Sequence, residues 1–461
     1  MRILVAIANF GTGNRQYVER LLREYRAMPA DISIVVCSNI PKDLGPDIEV
    51  RVGLPTRNPR SLPFAPRNVF LERKDDFDLF IYSEDDTLVT WEAIDAFVSD
   101  AAQLEGSEIP GFLRQEVDES GNRYFSSSHA YFRWLPSSVK QRGNDLWAAF
   151  SNEHSACFMV TREQLARALR SGGLGTTPHE GRYAMLESAA TDIYTQCGLE
   201  RVINLNKLPA YTLHHLPNKY VGKMGLPEHE MEWQIEALRK QFLRQGDSAV
   251  LFELETKLPR GRGSKCFRED PDSSIEGQLA DTERVLVYGA GDGAFEAGLA
   301  ADEREIFCIP IDSVAEYCCR KRGLEIVGVE EGGPLYDAIV LRDVLHLVDN
   351  PVDLLARLRG LLRPGGRMVC RIPNLHSRRV LVHRFIKRRL PLLWTKARIG
   401  CEAYGLRQLQ GLLKESGFEL RSAGYASPTA EPDSSYRADL ASRFKFSFIY
   451  ASADAVDGHA S

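Results

Sequence analysis

Two distant stretches of this chain share one pattern. Near the start, the apolar run Arg2–Ala8 ends in Gly11, Thr12, Gly13 and Asn14, and a helical pattern follows through Val18, Leu21, Leu22 and Tyr25. Much later, Val285–Tyr288 ends in Gly289-Ala290-Gly291-Asp292-Gly293, again ahead of a helical pattern. A short apolar run, a glycine turn and then 3.6-residue periodicity read as strand, turn and helix. Alternation continues after each opening. The first region adds strand runs at Ile32–Cys37 and Asp78–Ser83, with helices at Thr90–Val98, Thr161–Arg170 and Leu186–Cys197. The second adds strands at Ile306–Ile311, Asp337–Leu341, Met368–Ile372 and, late, Phe446–Ala451. Such alternation favours a largely parallel sheet in each region. The fold class expected is α/β in two domains, 1–225 and 281–461.

The stretch 226–280 reads as a helical segment and linker. Glu228–Gln245 is a charged helix candidate, and 259–275 (PRGRGSKCFREDPDSSI) is poor in apolar residues, as linkers are. That composition predicts two sites that work independently. The last ten residues, small and polar, read as a frayed tail.

With 461 residues, 44% of them hydrophobic, the chain has apolar material for at least two cores. Its formal charge of −5 argues against a dedicated nucleic-acid binder. The nine cysteines are odd in number and include no CxxC, which argues against a disulfide framework and fits a reducing cytoplasm. No apolar run reaches the ~18 residues of a membrane span. The opening run turns polar at Asn9, so it reads as a buried strand rather than a signal peptide.

In the first domain, Tyr82-Ser83-Glu84-Asp85-Asp86 follows a buried strand. Clustered acids there repel one another and lose hydration, and a divalent cation relieves both costs. Oxygen ligands at Glu84 and Asp86, with Asp85 between them, suit Mg²⁺ or Mn²⁺. The acids could instead complement the N-terminus of the next helix, with Thr90 as its cap. Strand, EDD and helix in a mononucleotide-binding sheet resemble the GT-A glycosyltransferases, across about 1–220. The resemblance implies a nucleotide-sugar donor on the metal, Asn9 and Gly11 near the base, and Arg67 (in Phe64-Ala65-Pro66-Arg67) on phosphate or sugar. It also implies a downstream carboxylate, Glu187 or Asp192, as the base that deprotonates the acceptor. From the pair His214-His215, it implies a late histidine, His215, completing the metal site.

In the second domain, the Gly289–Gly293 turn is followed by Tyr336–His346, Leu361-Leu362-Arg363-Pro364-Gly365-Gly366, Ile372-Pro373-Asn374 and Leu412–Phe418. This ordered set resembles the class I S-adenosylmethionine-dependent methyltransferases, across about 281–461. It implies a Rossmann-like fold with the cofactor on Gly289, Gly291 and Gly293, near Asp343. The chain departs from the family pattern in its acids. Val287, Pro310 and about Val329 stand where acids belong, and Asp292, Asp312 and Glu330 are neighbours. Asp312 is the leading substitute for the ribose acid, since a shift of two keeps the same strand face. His346 is a candidate base or cofactor-packing residue. The basic stretch 376–398 reads as a cover helix, or as a surface helix approaching anionic lipid or a phosphorylated acceptor.

Together these readings predict a bifunctional glycosyltransferase and methyltransferase acting on a glycan or glycosylated metabolite, without nucleic acid. The alternative is a glycosyltransferase with a noncatalytic, methyltransferase-like docking domain.

Overall fold

The run Ile3–Ala8 is apolar at every position because both faces of its strand are covered, as in a central parallel strand. A computed structural model describes residues 1–125, 133–221, 225–244, 250–258, 261–300, 304–328, 335–386, 394–429 and 438–456. It divides into two compact units, Met1–Ile235 and Glu236–Ser461.

In the first unit the main sheet runs Cys157–Thr161, Leu79–Glu84, Arg2–Asn9, Asp31–Ser38, Ile48–Val52. Its neighbours are parallel except Cys157–Thr161, which is antiparallel to Leu79–Glu84. The chain winds outward from Arg2–Asn9 in one direction, then returns to the other side of that strand with Leu79–Glu84. Strand order therefore reverses between Asn9 and Glu84, and a crevice opens at the carboxyl ends there. Thr90 does cap the next helix, Trp91–Ala101, accepting from the Ala93 amide. A second sheet brings a distant segment to the acids. In it Thr212–His215 lies between Thr87–Leu88 and Leu113–Val117, with His215 opposite Thr87.

The second unit has one seven-stranded sheet, in the order Glu325–Ile326, Glu305–Pro310, Arg284–Ala290, Tyr336–Arg342, Leu362–Pro373, Phe448–Ala455, Phe418–Ala426. The first five are parallel, and Phe448–Ala455 is antiparallel to both of its neighbours, Leu362–Pro373 and Phe418–Ala426. Alternate residues of Arg284–Ala290 enter two separate cores, Leu286 and Tyr288 on one face and Val285 and Val287 on the other. Strand order reverses here too, between Arg284–Ala290 and Tyr336–Arg342.

Two sequence expectations change. The late strand extends through Ala455, so Ser452 and Ala453 are buried sheet residues rather than tail. The expected linker is packed into the second unit: Lys265, Phe267, Glu269 and Asp272 are buried. Polarity in that stretch marks charges paired in the interior, which composition alone does not distinguish from solvated charges.

Candidate functional site

At the first reversal the three acids have different surroundings. Asp85 accepts from both amide side chains of the opening turn, Asn9 at 2.5 Å and Asn14 at 2.7 Å. Burial still pushes it up to about 6, against those two bonds. Burial and the Asp86 charge push Glu84 up to about 7. His154 Nε2 lies 3.3 Å from Glu84 Oε1, and burial, with the Arg114 charge, drives that imidazole down to about 3. Asp86 is opposed by burial yet held below the usual carboxylate range by His215, whose Nε2 is 3.4 Å from Asp86 Oδ2. The other Asp86 oxygen is buried without a hydrogen-bond partner. The Glu84 amide bonds to the carbonyl of Ala156, a buried non-glycine residue at φ 57. Such backbone strain concentrates at functional sites.

Beside these acids is a cleft of about 380 Å³, lined by Phe10, Asn14, Arg60, Pro63, Glu84 and Leu186 among others. Gly11, at φ 62, forms its turn, with its amide on Asn39 and its carbonyl on Lys42. Glu187 is half-buried and one of its oxygens has no hydrogen-bond partner. Arg67 and Asp192 are elsewhere engaged. They pair with each other at 2.7 Å in the interior, and His179 adds a second contact to Asp192 at 3.0 Å. Arg67 also donates toward the carbonyls of Leu174, Thr176 and Ala189. Both therefore tie helices together, which corrects their expected places at donor and acceptor.

Sequence reasoning missed Asn14 and Glu116 as members of this group; His154 stands out in sequence only as part of the polar stretch Asn152–Ala156 ahead of the apolar Cys157–Val160. Glu116 sits in an alternating strand with no motif. Only the pairing of Leu113–Val117 with Thr212–His215 brings it to His215. Among the described residues, no three or more His, Cys, Asp or Glu side chains converge closely enough to form a metal-holding group. The donors pair off instead: Asp86 with His215, Glu84 with His154, and Asp85 with two amides.

The second reversal is roofed by the chain's own backbone. Any Cβ on Gly291 would strike the carbonyl oxygen of Phe267, which accepts the Asp292 amide at 2.7 Å. The close approach this glycine permits is made by residues 266–267. His346 Nε2 donates to the Gly263 carbonyl at 2.5 Å, and its other ring nitrogen is buried without a partner. Burial keeps this imidazole below its ordinary pKa. Lys265, also buried, reaches Glu269 and the Arg342 carbonyl, both at 2.8 Å. These contacts make His346 an anchor for the roofing segment, where a base or a cofactor-packing residue was expected.

Asp343, expected at the cofactor, has its carboxylate on Arg371, which also holds Asp272 at 2.7 Å. Burial works against its charge, but Arg371 keeps it below the usual range. This corrects Asp343 to a structural ion pair. Asp312 caps the helix Ser313–Lys321, its Oδ1 accepting from the amides of Val314 and Ala315. Val329 and Glu330 lie outside the described residues. A cleft of about 930 Å³ has Phe252, Tyr288, Leu347, Asp353, Arg357 and Lys396 in its wall.

In the basic stretch, Arg378–Leu381 and Val382–Ile386 are helical and Phe385 is exposed; 387–393 lie outside the described residues. No described helix is long and apolar enough to cross a membrane.

Residues 253–423 match the family model of a methyltransferase domain. No curated protein matches the chain significantly. Solved structures similar to the chain include a putative methyltransferase in complex with the Trm112 methyltransferase activator of Haloferax volcanii, at 14% identity and TM-score 0.31, covering 41% of this chain and 91% of that one. Another is the N-methyltransferase NodS of Bradyrhizobium japonicum bound to S-adenosyl-L-homocysteine, at 14% identity and TM-score 0.27, covering 40% and 84%. A third, a possible histamine N-methyltransferase from Thermotoga maritima, has 18% identity and TM-score 0.29, covering 49% and 98%.

Proposed function

From a chain that carries a methyltransferase domain, we propose a two-site enzyme. Met1–Ile235 transfers a sugar from a nucleotide-sugar donor, as a GT-A-like, divalent-cation-dependent glycosyltransferase. Glu236–Ser461 transfers a methyl group from S-adenosylmethionine. The shared product is an O-methylated glycan or glycosylated metabolite.

One observation carries the first half. Glu84 and Asp85 line an open cleft at the reversal of a parallel sheet, and the next residue, Asp86, has an unpartnered buried oxygen. Ligands of open α/β sheets bind at such reversals. What supports a cation is Glu84, whose ionisation burial and the Asp86 charge oppose, and an imidazole aimed at Asp86. A divalent cation held by Glu84, Asp86 and His215 would supply positive charge for a leaving diphosphate. Asn9 and Asn14 fix Asp85 at the cleft wall, Gly11 shapes the turn beneath the nucleotide, and Glu187 takes the acceptor hydroxyl proton.

In the second unit, Gly289, Gly291 and Gly293 shape the floor, and Asp312 offers an oxygen to the cofactor ribose. The roof of residues 261–272 makes binding weak. That same roof favours a second reading, in which the domain is noncatalytic and serves for docking.

The test is calorimetry on the full chain. A panel of sugar nucleotides should bind with Mn²⁺ and lose affinity at least tenfold with EDTA or in Asp86→Asn. Equal binding with and without metal refutes the metal-dependent reading. S-adenosylhomocysteine should bind in the high-micromolar to millimolar range, and no heat at millimolar concentration selects the docking reading.

A further inference from the structure

Between Asp353 and Glu402 the chain has thirteen Lys and Arg residues and no acid, although its formal charge is −5. Positive charge is therefore gathered into one stretch. Part of it is neutralised by acids from elsewhere: Arg363 pairs with Asp337, Arg371 with Asp343 and Asp272, and Lys396 with Asp349. Another part stays outside. The short helix Arg378–Leu381 is anchored by Val380, which is buried with Leu258, Leu375 and Ile399. Arg378 and Arg379 are exposed, and neither forms an ion pair among the described residues.

A distant segment adds to them. The Asn374 side chain donates to the carbonyls of Arg443 and Phe446, and its amide donates to the Ser447 carbonyl. These bonds tie the helix Leu440–Lys445 to the turn ahead of Arg378–Leu381. Its Arg443 and Lys445 are exposed. His376 lies near both segments, since burial and then the charges of Arg443 and Arg384 hold it below its ordinary pKa. The Arg384 guanidinium lies over the Trp394 ring at 4.4 Å and over the Phe385 ring at 4.9 Å. Phe385 itself sits in a π-helical turn, Val382–Ile386, and is 56% exposed. Such turns are rare and recur at functional sites.

In water these features only cost: like charges repel one another, and a phenyl ring lies open to solvent. An anionic bilayer relieves both, because its headgroups compensate the charges and the ring leaves water at the acyl boundary. A polynucleotide also answers the charge, but it satisfies the ring only where an unpaired base stacks on it. We propose that the basic surface around Phe385, built from Arg378, Arg379, Arg443 and Lys445, docks the second unit on an anionic lipid bilayer, with the charges at the headgroups and the Phe385 ring inserted beneath them. The docking is peripheral, with no crossing helix among the described residues. It goes beyond the two-site reading and depends on neither activity.

The experiment floats the full chain with vesicles of phosphatidylcholine alone or of phosphatidylcholine mixed with phosphatidylserine. Wild type should float with the mixed vesicles in low salt and stay behind with phosphatidylcholine. It should come off at about 1 M salt, where charges are screened within about 3 Å. Each basic side chain at such a surface is worth about fivefold in affinity, so Arg378→Gln with Arg379→Gln should bind about 25-fold more weakly. Arg23→Gln with Arg170→Gln removes the same charge from exposed positions of the first unit and should lose less than about threefold. Phe385→Ser should bind about five- to tenfold more weakly and keep the salt dependence of wild type. Should the first pair not fold, Arg443→Gln with Lys445→Gln replaces it with the same expectation. Failure of wild type to float with mixed vesicles in low salt overturns the proposal. Equal losses in the two arginine pairs would mean that net charge drives binding, and they overturn the assignment to this surface. Undiminished binding of Phe385→Ser overturns the insertion of the ring. An oligothymidylate added in competition should leave the floated fraction unchanged. If it strips wild type from the vesicles, the surface is a nucleic-acid site and the membrane proposal fails.

Discussion

The two units present the same topological address and fill it in opposite ways. In the first, the turn after the opening strand leaves a cleft of about 380 Å³ bordered by incompletely compensated acids. In the second, the corresponding glycine turn is covered by Phe267, and its neighbouring charges are paired among themselves. A glycine-rich turn at a sheet reversal therefore records a close approach, not the identity of what approaches. A Cβ at Gly11 would meet open space, and one at Gly291 would meet the chain's own backbone.

The largest effect that could break this contrast concerns the buried pairs. Arg371→Met strands two carboxylates, Asp343 and Asp272, both buried beside it. Removing one member of a buried pair costs about 3–5 kcal/mol, so the thermal transition of the second unit should fall sharply or disappear. Arg67→Met strands only Asp192, which keeps His179 as a partner, and should cost less. Near-wild-type melting of Arg371→Met would mean that Asp343 is free for a ligand after all.

Next in size are the glycines. Gly291→Ala drives a methyl group into the Phe267 carbonyl and should cost about 2–3 kcal/mol by overpacking. Gly11→Ala meets open space and only the φ +62 conformation resists it, at about 1–2 kcal/mol. Denaturant melts of the two variants test the order. If Gly291→Ala is tolerated as well as Gly11→Ala, the segment 261–272 is not seated on the turn in solution.

A pH-dependent effect of comparable size belongs to Glu296, which is 1% exposed. Burial, and the Glu269 charge, push it up to about 7 from an ordinary 4.5. The folded chain thus holds this proton when the unfolded chain has released it. Stability from this group is full below the unfolded value, falls as pH rises through roughly 4.5–7, and is lost above. The window corresponds to on the order of 2–3 kcal/mol. Glu296→Gln removes the titration, so it should flatten this part of the profile and raise the melting temperature of the second unit above pH 7. An unchanged slope between pH 5 and 7 would show that Glu296 ionises freely.

Much of this was legible in the residues. Both strand–turn–helix openings and the EDD cluster could be placed because a buried parallel strand is apolar throughout and its polar end is abrupt, as at Glu84 and Asn9. Partnership was not legible. Arg67 with Asp192, Asp343 with Arg371, and Glu116 with His215 join residues far apart in sequence, and isolated charges carry no mark of their partner. The misread linker has the same cause, since Lys265, Glu269 and Asp272 look solvated until Arg342 and Arg371 are placed beside them.

The smallest expected effect separates two roles that Asp312 could hold together. Its Oδ1 already caps the helix Ser313–Lys321 through two amides. A carboxylate has about four acceptor positions, more than the two that the capping amides use. Asp312→Asn keeps an acceptor oxygen for the cap and should change stability by less than about 0.5 kcal/mol, since Asn caps nearly as well as Asp. It loses the charge, and a charge-assisted hydrogen bond is worth about 1.5–3 kcal/mol. S-adenosylhomocysteine affinity should therefore fall about tenfold while melting is unchanged. Asp312→Ala should lose both, adding about 1 kcal/mol of destabilisation. Calorimetry beside thermal melts reads the two roles separately. If both variants bind the ligand as wild type does, Asp312 is a helix cap alone. The second reversal then offers the ribose no acid among those the sequence suggested in its described part, since Asp292 is held by Arg268 and Arg322. The contrast between an uncovered glycine turn in the first unit and a covered one in the second would be sharpened accordingly.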